Sequence, residues 1–367
     1  MINELRIPLL PPASCPLLAL RVMAPRVAPR ATGLSATFSS VARAAQVNGS
    51  RFLGLLLIGC ALLFPTIAQA ATPRELLDGG RADEALRLLT RQATGNNAAA
   101  FNYLCRTHFA LGDWDSAIRS CERAAQLEPR NAEFQLWLGR SYGEKANASS
   151  ALSAYSLAHK TVAAFETARS LDRKNLLIAR DLSEYYFTAP SIVGGGIDKA
   201  LALATELAPE HPSDAAWVRA MVASHEGQHD KAEREFSEST RLDQNSAAAI
   251  LEFAHYLKGR KLWDRFQQTV ERALHSALIR PINRYDAAEM LLRTNRDLPT
   301  AAQQMRAYIQ SGHTEEAAPL FRAHFLLGEI LLKSGDATQA AAEFRASLAL
   351  ASSYRPAADS LRRLGQR

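Results

Sequence analysis

Aromatic residues are scarce in this 367-residue chain, at 7% of the total. Alanine and leucine are abundant instead, a mix that suits close helix packing and argues against a strand-rich core. Charge of one sign is also lacking over most of the length. The formal excess is +6, but residues 1–71 hold Arg6, Arg21, Arg26, Arg30, Arg43 and Arg51 against Glu4 alone. The remainder has 37 basic and 36 acidic residues. A body so near neutrality offers no bulk charge for nucleic acid or an anionic membrane surface. Cysteine is rare as well: there are four, and none of their spacings is that of a zinc cluster. The longest apolar run, Phe52–Phe64, is about 13 residues, short of the roughly 20 a membrane-spanning helix needs.

That run has a role of its own. Arg51 precedes it, and Pro65 and Ala68-Gln69-Ala70 follow. A basic flank, an apolar stretch and a small-x-small end make up a secretory signal peptide. Residues 47–70 are read as that peptide, cut after Ala70, and residues 71–367 as an exported chain. The location expected is periplasmic or secreted, with no membrane insertion after cleavage. A retained anchor is the second choice. Residues 1–46 form an atypical, Arg-rich and acid-poor leader. It reads as a misassigned start, with Val47 at the true initiator codon, or as an organelle-type leader; the former is favoured. Leu57-Ile58-Gly59-Cys60 also fits a bacterial lipobox. Lipid anchoring at Cys60 is therefore an alternative, disfavoured because an apolar stretch follows the cysteine.

Beyond Ala70 a pattern recurs. Phe101–Pro129 reads FNYLCRTHFALGDWDSAIRSCERAAQLEP. Phe101, Leu104, Cys105 and His108 share one face of a first helix, and Ala117, Cys121 and Ala124 share one face of a second. Gly112 and Asp113 make the turn between them, and Pro129 stops the second helix. Leu138, Gly139 and Tyr142 restart the pattern 34 residues on, with an insertion at Glu144–Ser153. Leu182 and Tyr186 open another unit, with extra residues within Thr188–Gly196. Gly227, Ala232, Phe236 and Leu242 mark the next. Phe253, Val270 and Ala273 mark a weaker one, residues 282–312 a degenerate helical pair, and Leu327, Gly328, Gly335, Ala340 and Phe344 a clear copy. Gly80, Ala85 and Leu89 look like part of a first unit, and Ala357–Leu364 like a capping helix.

These spacings resemble the tetratricopeptide repeat over about residues 74–367. Each helix pair leaves an apolar face that only stacking can bury. The expected fold is all-α: a solenoid of antiparallel helix pairs, about seven units. The resemblance implies a right-handed superhelix with first helices lining a concave groove. It also implies a non-catalytic scaffold that binds a protein or peptide partner and needs no cofactor. In the family's register the groove is lined here by Asn102, Arg106, Phe109, Arg140, Arg180, Glu184, Trp217, Met221 and His255. Trp217, if exposed in the groove, would be the energetic anchor. Cys105 and Cys121 face each other across one hairpin. Export would favour a disulfide between them, and two buried thiols are the other reading.

Two motifs point elsewhere. His225-Glu226-Gly227-Gln228-His229 matches H-E-x-x-H, in which two histidines on one helix face bind zinc and the glutamate activates water. Glu252 could be cast as a third ligand. A zinc metallohydrolase is thus the rival function. The repeat register argues against it and for no metal, because Gly227 falls at the turn between two helices. Pro190–Gly196 is glycine-rich, as phosphate-cradling loops are. No strand is predicted before it and no Gly-Lys-Ser/Thr follows, so it reads as a flexible turn.

Overall fold

The computed structural model describes residues 71–365. The leader, the signal segment, Cys15 and Cys60 lie outside the described residues. From Thr72 onward the described chain is one compact unit. Among the described residues there are 17 α-helices and no strand. They form antiparallel pairs: α1 (Pro73–Asp78) with α2 (Ala82–Gln92), α3 (Ala98–Leu111) with α4 (Trp114–Leu127), α5 (Ala132–Asn147) with α6 (Ala151–Leu171), and α7 (Leu176–Thr188) with α8 (Ile197–Leu207). The series continues with α9 (Pro212–His225) and α10 (His229–Leu242), α11 (Ala247–Gly259) and α12 (Trp263–Leu274), α13 (Pro281–Thr294) and α14 (Leu298–Gln310), α15 (Leu320–Lys333) and α16 (Ala337–Leu350). α17 (Arg355–Gly365) packs on α16 as a cap.

Local sequence sets the ends of these helices. The Asn97 side chain accepts from the Ala100 amide to open α3, and Asp113 accepts from Ser116 to open α4. Such caps stabilise a helix by about 1 kcal/mol each. Gly112 ends α3 at φ 76°, a left-handed conformation that glycine adopts without penalty. Within a pair, small residues let the helices approach. A Cβ on Gly139 would meet the Phe165 ring at 2.5 Å, and one on Gly328 would meet the Phe344 ring at 2.5 Å. The same lock, an aromatic ring of the second helix against a glycine of the first, thus recurs in two distant repeats.

Two insertions are absorbed differently from the sequence reading. The extra residues at Glu144–Ser153 are mostly helical: α5 runs to 16 residues and α6 to 21. Alanine-rich segments favour helix, so the insertion lengthens both arms rather than widening the turn. The added start of α6 packs only through one face, where Ala154 is buried, and Leu152 and Tyr155 are exposed on the other. The glycine-rich stretch is not a loose turn. Ser191–Val193 form a 3-10 turn, Val193 is fully buried, and Tyr185 Oη lies 2.6 Å from the Val193 carbonyl oxygen and 2.8 Å from that of Ala158.

Successive first helices also touch one another, α3 with α5, α7 with α9, α11 with α13 and α13 with α15. They form an inner layer, and the second helices form an outer one. The first and last elements then meet. Ala82 and Leu111 share an apolar cluster with Phe321, Ala351, Tyr354 and Ala357. Both Asp83 carboxylate oxygens accept from the Ser352 amide, at 3.0 and 3.1 Å. Arg106 reaches Glu316 through a paired contact of its guanidinium. Gly80 lies directly against the backbone of Pro319 and Leu320. The stack of repeats therefore closes on itself along a seam.

Candidate functional site

The residues expected to line a groove sit on the first helices α3, α5, α7, α9 and α11. They are tied to one another across successive first helices. On α3, Arg106 donates to Glu316 Oε1 at 2.8 Å and to Glu133 Oε1 at 2.6 Å. On α5, Arg140 Nε donates to Asp181 Oδ2 at 2.6 Å. On α7, Arg180 donates to Asp214 Oδ1 at 2.7 Å and Glu252 Oε1 at 2.5 Å. Trp217 on α9 donates from its indole to Glu252 Oε2 at 3.1 Å. Aromatic faces complete the ladder. Trp137 lies between the Arg106 and Arg140 guanidinium groups, at 5.0 and 4.7 Å, and Trp217 lies under Arg180 at 4.0 Å. Cation–π contacts of this kind strengthen as water is excluded.

Burial separates these residues. Asn102 and Arg106 are buried, and Trp217, with 6% of its surface accessible, is not exposed in an open groove. The neighbouring first helix, α7, covers its ring with Arg180 and Phe187. Phe109, Arg140, Arg180, Met221 and His255 remain half-buried. Phe109 packs edge-on against Trp114 and Trp137. Burial depresses the His255 imidazole to about 3, with Lys258 adding to the effect, so that ring is neutral at physiological pH.

The acidic members of this wall did not stand out in the sequence. Asp181, Asp214, Glu252, Asp286 and Glu289 sit on first helices, and Arg180 and Asp214 are one repeat, 34 residues, apart. That spacing was the available signal. Burial, followed by Asp181 and Glu252, raises the Glu184 carboxyl to about 8. Burial raises Glu144 to about 7 against the pull of Arg322. Asp286 is pushed well above the carboxylate range by burial, then by Glu289, Glu252 and Glu315, with Arg280 opposing. Carboxyl groups so placed are held partly or wholly in the neutral form.

The two remaining candidates resolve plainly. Cys105 and Cys121 are joined by a disulfide, with Cα atoms 5.2 Å apart, buried beside Ser141. His225 ends α9 and His229 begins α10, with Gly227 at φ 72° between them. The two histidines therefore do not share a face of one continuous helix, as H-E-x-x-H zinc binding requires. Among the described residues no group of three or more His, Cys, Asp or Glu is placed to hold a metal ion. Among them, too, no helix is long and apolar enough to cross a membrane.

The fold and the inner wall define an all-α helical-repeat protein. Family models described as tetratricopeptide repeat match residues 98–131, which are α3 and α4, and residues 285–355, from α13 to the start of α17. The chain is a tetratricopeptide-repeat protein. Among solved structures it is similar to a tetratricopeptide repeat protein from Parabacteroides merdae, at 18% identity over 79% of this chain and 100% of that one, with a TM-score of 0.37. It is also similar to yeast Tom70, at 17% identity over 83% of this chain and 66% of that one, with a TM-score of 0.47. No curated protein matches it in sequence. The superpositions are loose, and the family assignment rests on the repeat sequences. Proteins built of these repeats serve in general as non-enzymatic interaction scaffolds.

Proposed function

We propose that this chain is a non-catalytic scaffold of the cell envelope that holds a segment of a partner protein against its inner wall. One observation carries the reading. Half-buried side chains from successive first helices, among them Arg140, Arg180, Met221 and His255, lie along one inner layer of a repeat stack. Such a wall is preorganised, so a bound segment loses freedom while the scaffold loses little. The internal ion pairs set a condition on the partner. Its charges must compete with Asp181, Asp214 and Glu252 for the same arginines, which favours a segment contributing apolar and hydrogen-bonding groups over one held by a carboxylate alone. The signal-peptide-like sequence of residues 47–70 supports the envelope location, and fractionation with N-terminal sequencing of the mature chain tests it.

The wall itself is tested by photocrosslinking in cells. A benzoylphenylalanine at Met221 or at His255 should capture a discrete partner. The same group at Arg234, exposed on the outer helix α10, should not. Capture only from Arg234, or from none of the three, would refute use of the inner wall.

A further inference from the structure

We propose that the seam between the first and last repeats is a gate, which opens in the intact protein to expose the inner wall. The chain itself crosses every other junction between neighbouring pairs. No connecting loop spans the seam, so parting it costs only the contacts made there.

Those contacts are lopsided. Elsewhere aromatic rings meet across junctions: Phe109 of α3 with Trp137 of α5, Phe187 of α7 with Trp217 of α9, and Phe236 of α10 with Phe253 and Tyr256 of α11. The rings at the seam, Phe321, Phe325 and Tyr354, all belong to the last repeat and pack on one another. The first repeats bring Ala82, Leu86, Ala110 and Leu111 to that cluster. Such small and aliphatic side chains part with less loss of contact than paired rings do. The outer side is not packed shut either. A cleft of about 580 Å³ lies between α2 and α16, lined in part by Asp83, Leu86, Arg87, Leu350 and Ser352.

The inner clasp is an ion pair. Arg106 on α3 reaches Glu316, in the loop before α15, and both side chains are nearly buried while the seam is shut. A buried pair loses much of its attraction to desolvation, so it adds little net closure. Opening returns both groups to water, and Arg106 keeps Glu133, which is half exposed on its own side of the seam. The pair thus sets the register in which the ends meet without holding them fast. Water can replace Asp83 at the Ser352 amide, where the link is exposed.

Spin labels at Arg91→Cys on α2 and Arg345→Cys on α16, both exposed positions, report the gap in the mature chain by electron–electron distance measurement. Cys105 and Cys121 are bonded to each other and take no label. The labelled chain should show a short distance and a second, longer population. Glu316→Gln leaves Arg106 under-compensated, and Gly80→Ala sets a Cβ against the Leu320 amide nitrogen. Each should raise the long-distance fraction roughly threefold or more. Glu233→Gln, which breaks the Arg265 pair between α10 and α12, should leave it unchanged. Circular dichroism confirms that the variants fold. A single short distance in all these chains overturns the proposal, and so does a long population that neither seam variant alters. Use of the gate by a partner rests on the inner-wall reading and is tested separately. A disulfide staple introduced by Asp83→Cys with Ser352→Cys should abolish photocrosslinking of the partner at Met221. Undiminished capture by the stapled chain overturns the gate as the way in. Capture by neither the stapled nor the free chain refutes the inner-wall reading, and the distance measurement then decides the gate by itself.

Discussion

Replacing Gly80 by alanine should open the seam at which the stack of repeats closes. Gly80 stands at φ 62°, and a Cβ there would fall inside van der Waals contact with the Leu320 amide nitrogen and 3.0 Å from the Pro319 carbonyl carbon and Cβ. Two costs follow. A left-handed residue bearing a Cβ costs about 1–2 kcal/mol. Carbon atoms pack at about 3.5–4.0 Å, so the two backbones must also part by several tenths of an ångström or more, a strain of about 1–3 kcal/mol by analogy with overpacked cores. Gly227 supplies the control, since it has φ 72° and nothing within 4 Å of an added Cβ. Gly227→Ala should therefore lose only the first amount, and Gly80→Ala about 2–5 kcal/mol in all. Urea unfolding measures both. Hydrogen exchange locates the damage: the Ser352 amide, which Asp83 accepts from, should lose protection in Gly80→Ala and keep it in Gly227→Ala. Equal destabilisation of the two variants, with unchanged exchange at Ser352, would mean that the ends do not meet in solution.

Two further outcomes follow from the interior. The Cys105–Cys121 bond closes a loop of 16 residues' separation, and changing both cysteines to alanine should cost about 3 kcal/mol on chain entropy alone; an unchanged urea midpoint would show that the bond does not form in the native protein. The pH dependence is set by buried carboxyls whose folded values lie above the ordinary 4.5, with Glu144 at about 7 and Glu184 at about 8. Between 4.5 and 8 the folded state binds more protons than the unfolded one. Their contribution is complete below 4.5 and is lost as pH rises toward 8, by at most about 1.4 kcal/mol per pH unit for each group. His255 acts in the opposite sense, because its folded value of about 3 lies below 6.5 and its contribution is lost as pH falls below 6.5. Unfolding free energy should thus decline from pH 6.5 to 8, and Glu184→Gln should flatten that decline; an unaltered slope in the variant would remove Glu184 as its cause.

What was legible in the chain follows the range of each interaction. The helix pairs were readable because their determinants are local. Asp113 caps the helix it precedes, and Gly139 makes room for Phe165 within one hairpin. The first helices were readable for the same reason, and Asn102, Arg106, Arg140, Arg180 and Trp217 sit on them. Their burial was not readable. It depends on small rotations between pairs, summed around the stack, and the contacts that register the sum are remote: Arg106 and Glu316 stand 210 residues apart. No periodic pattern encodes that meeting. The insertion in α5 and α6 marks the middle case, where helix propensity in Glu144–Ser153 was visible but its outcome depended on which way the added turns could grow.

The closure also changes what the inner charges can do. In an open groove, Arg106, Arg140 and Arg180 would be solvated and free to meet a partner's carboxylates. In the closed stack Arg106 is buried and Arg140 and Arg180 are half-buried, and each has an acid of the same wall beside it. Arg106 has Glu133 and Glu316, Arg140 has Asp181, and Arg180 has Asp214 and Glu252. A wall that must neutralise its own cations carries acids in proportion. The arginines that the repeat spacing placed in the groove therefore have acids of the wall beside them, and a partner's carboxylate must displace one of those acids to reach them.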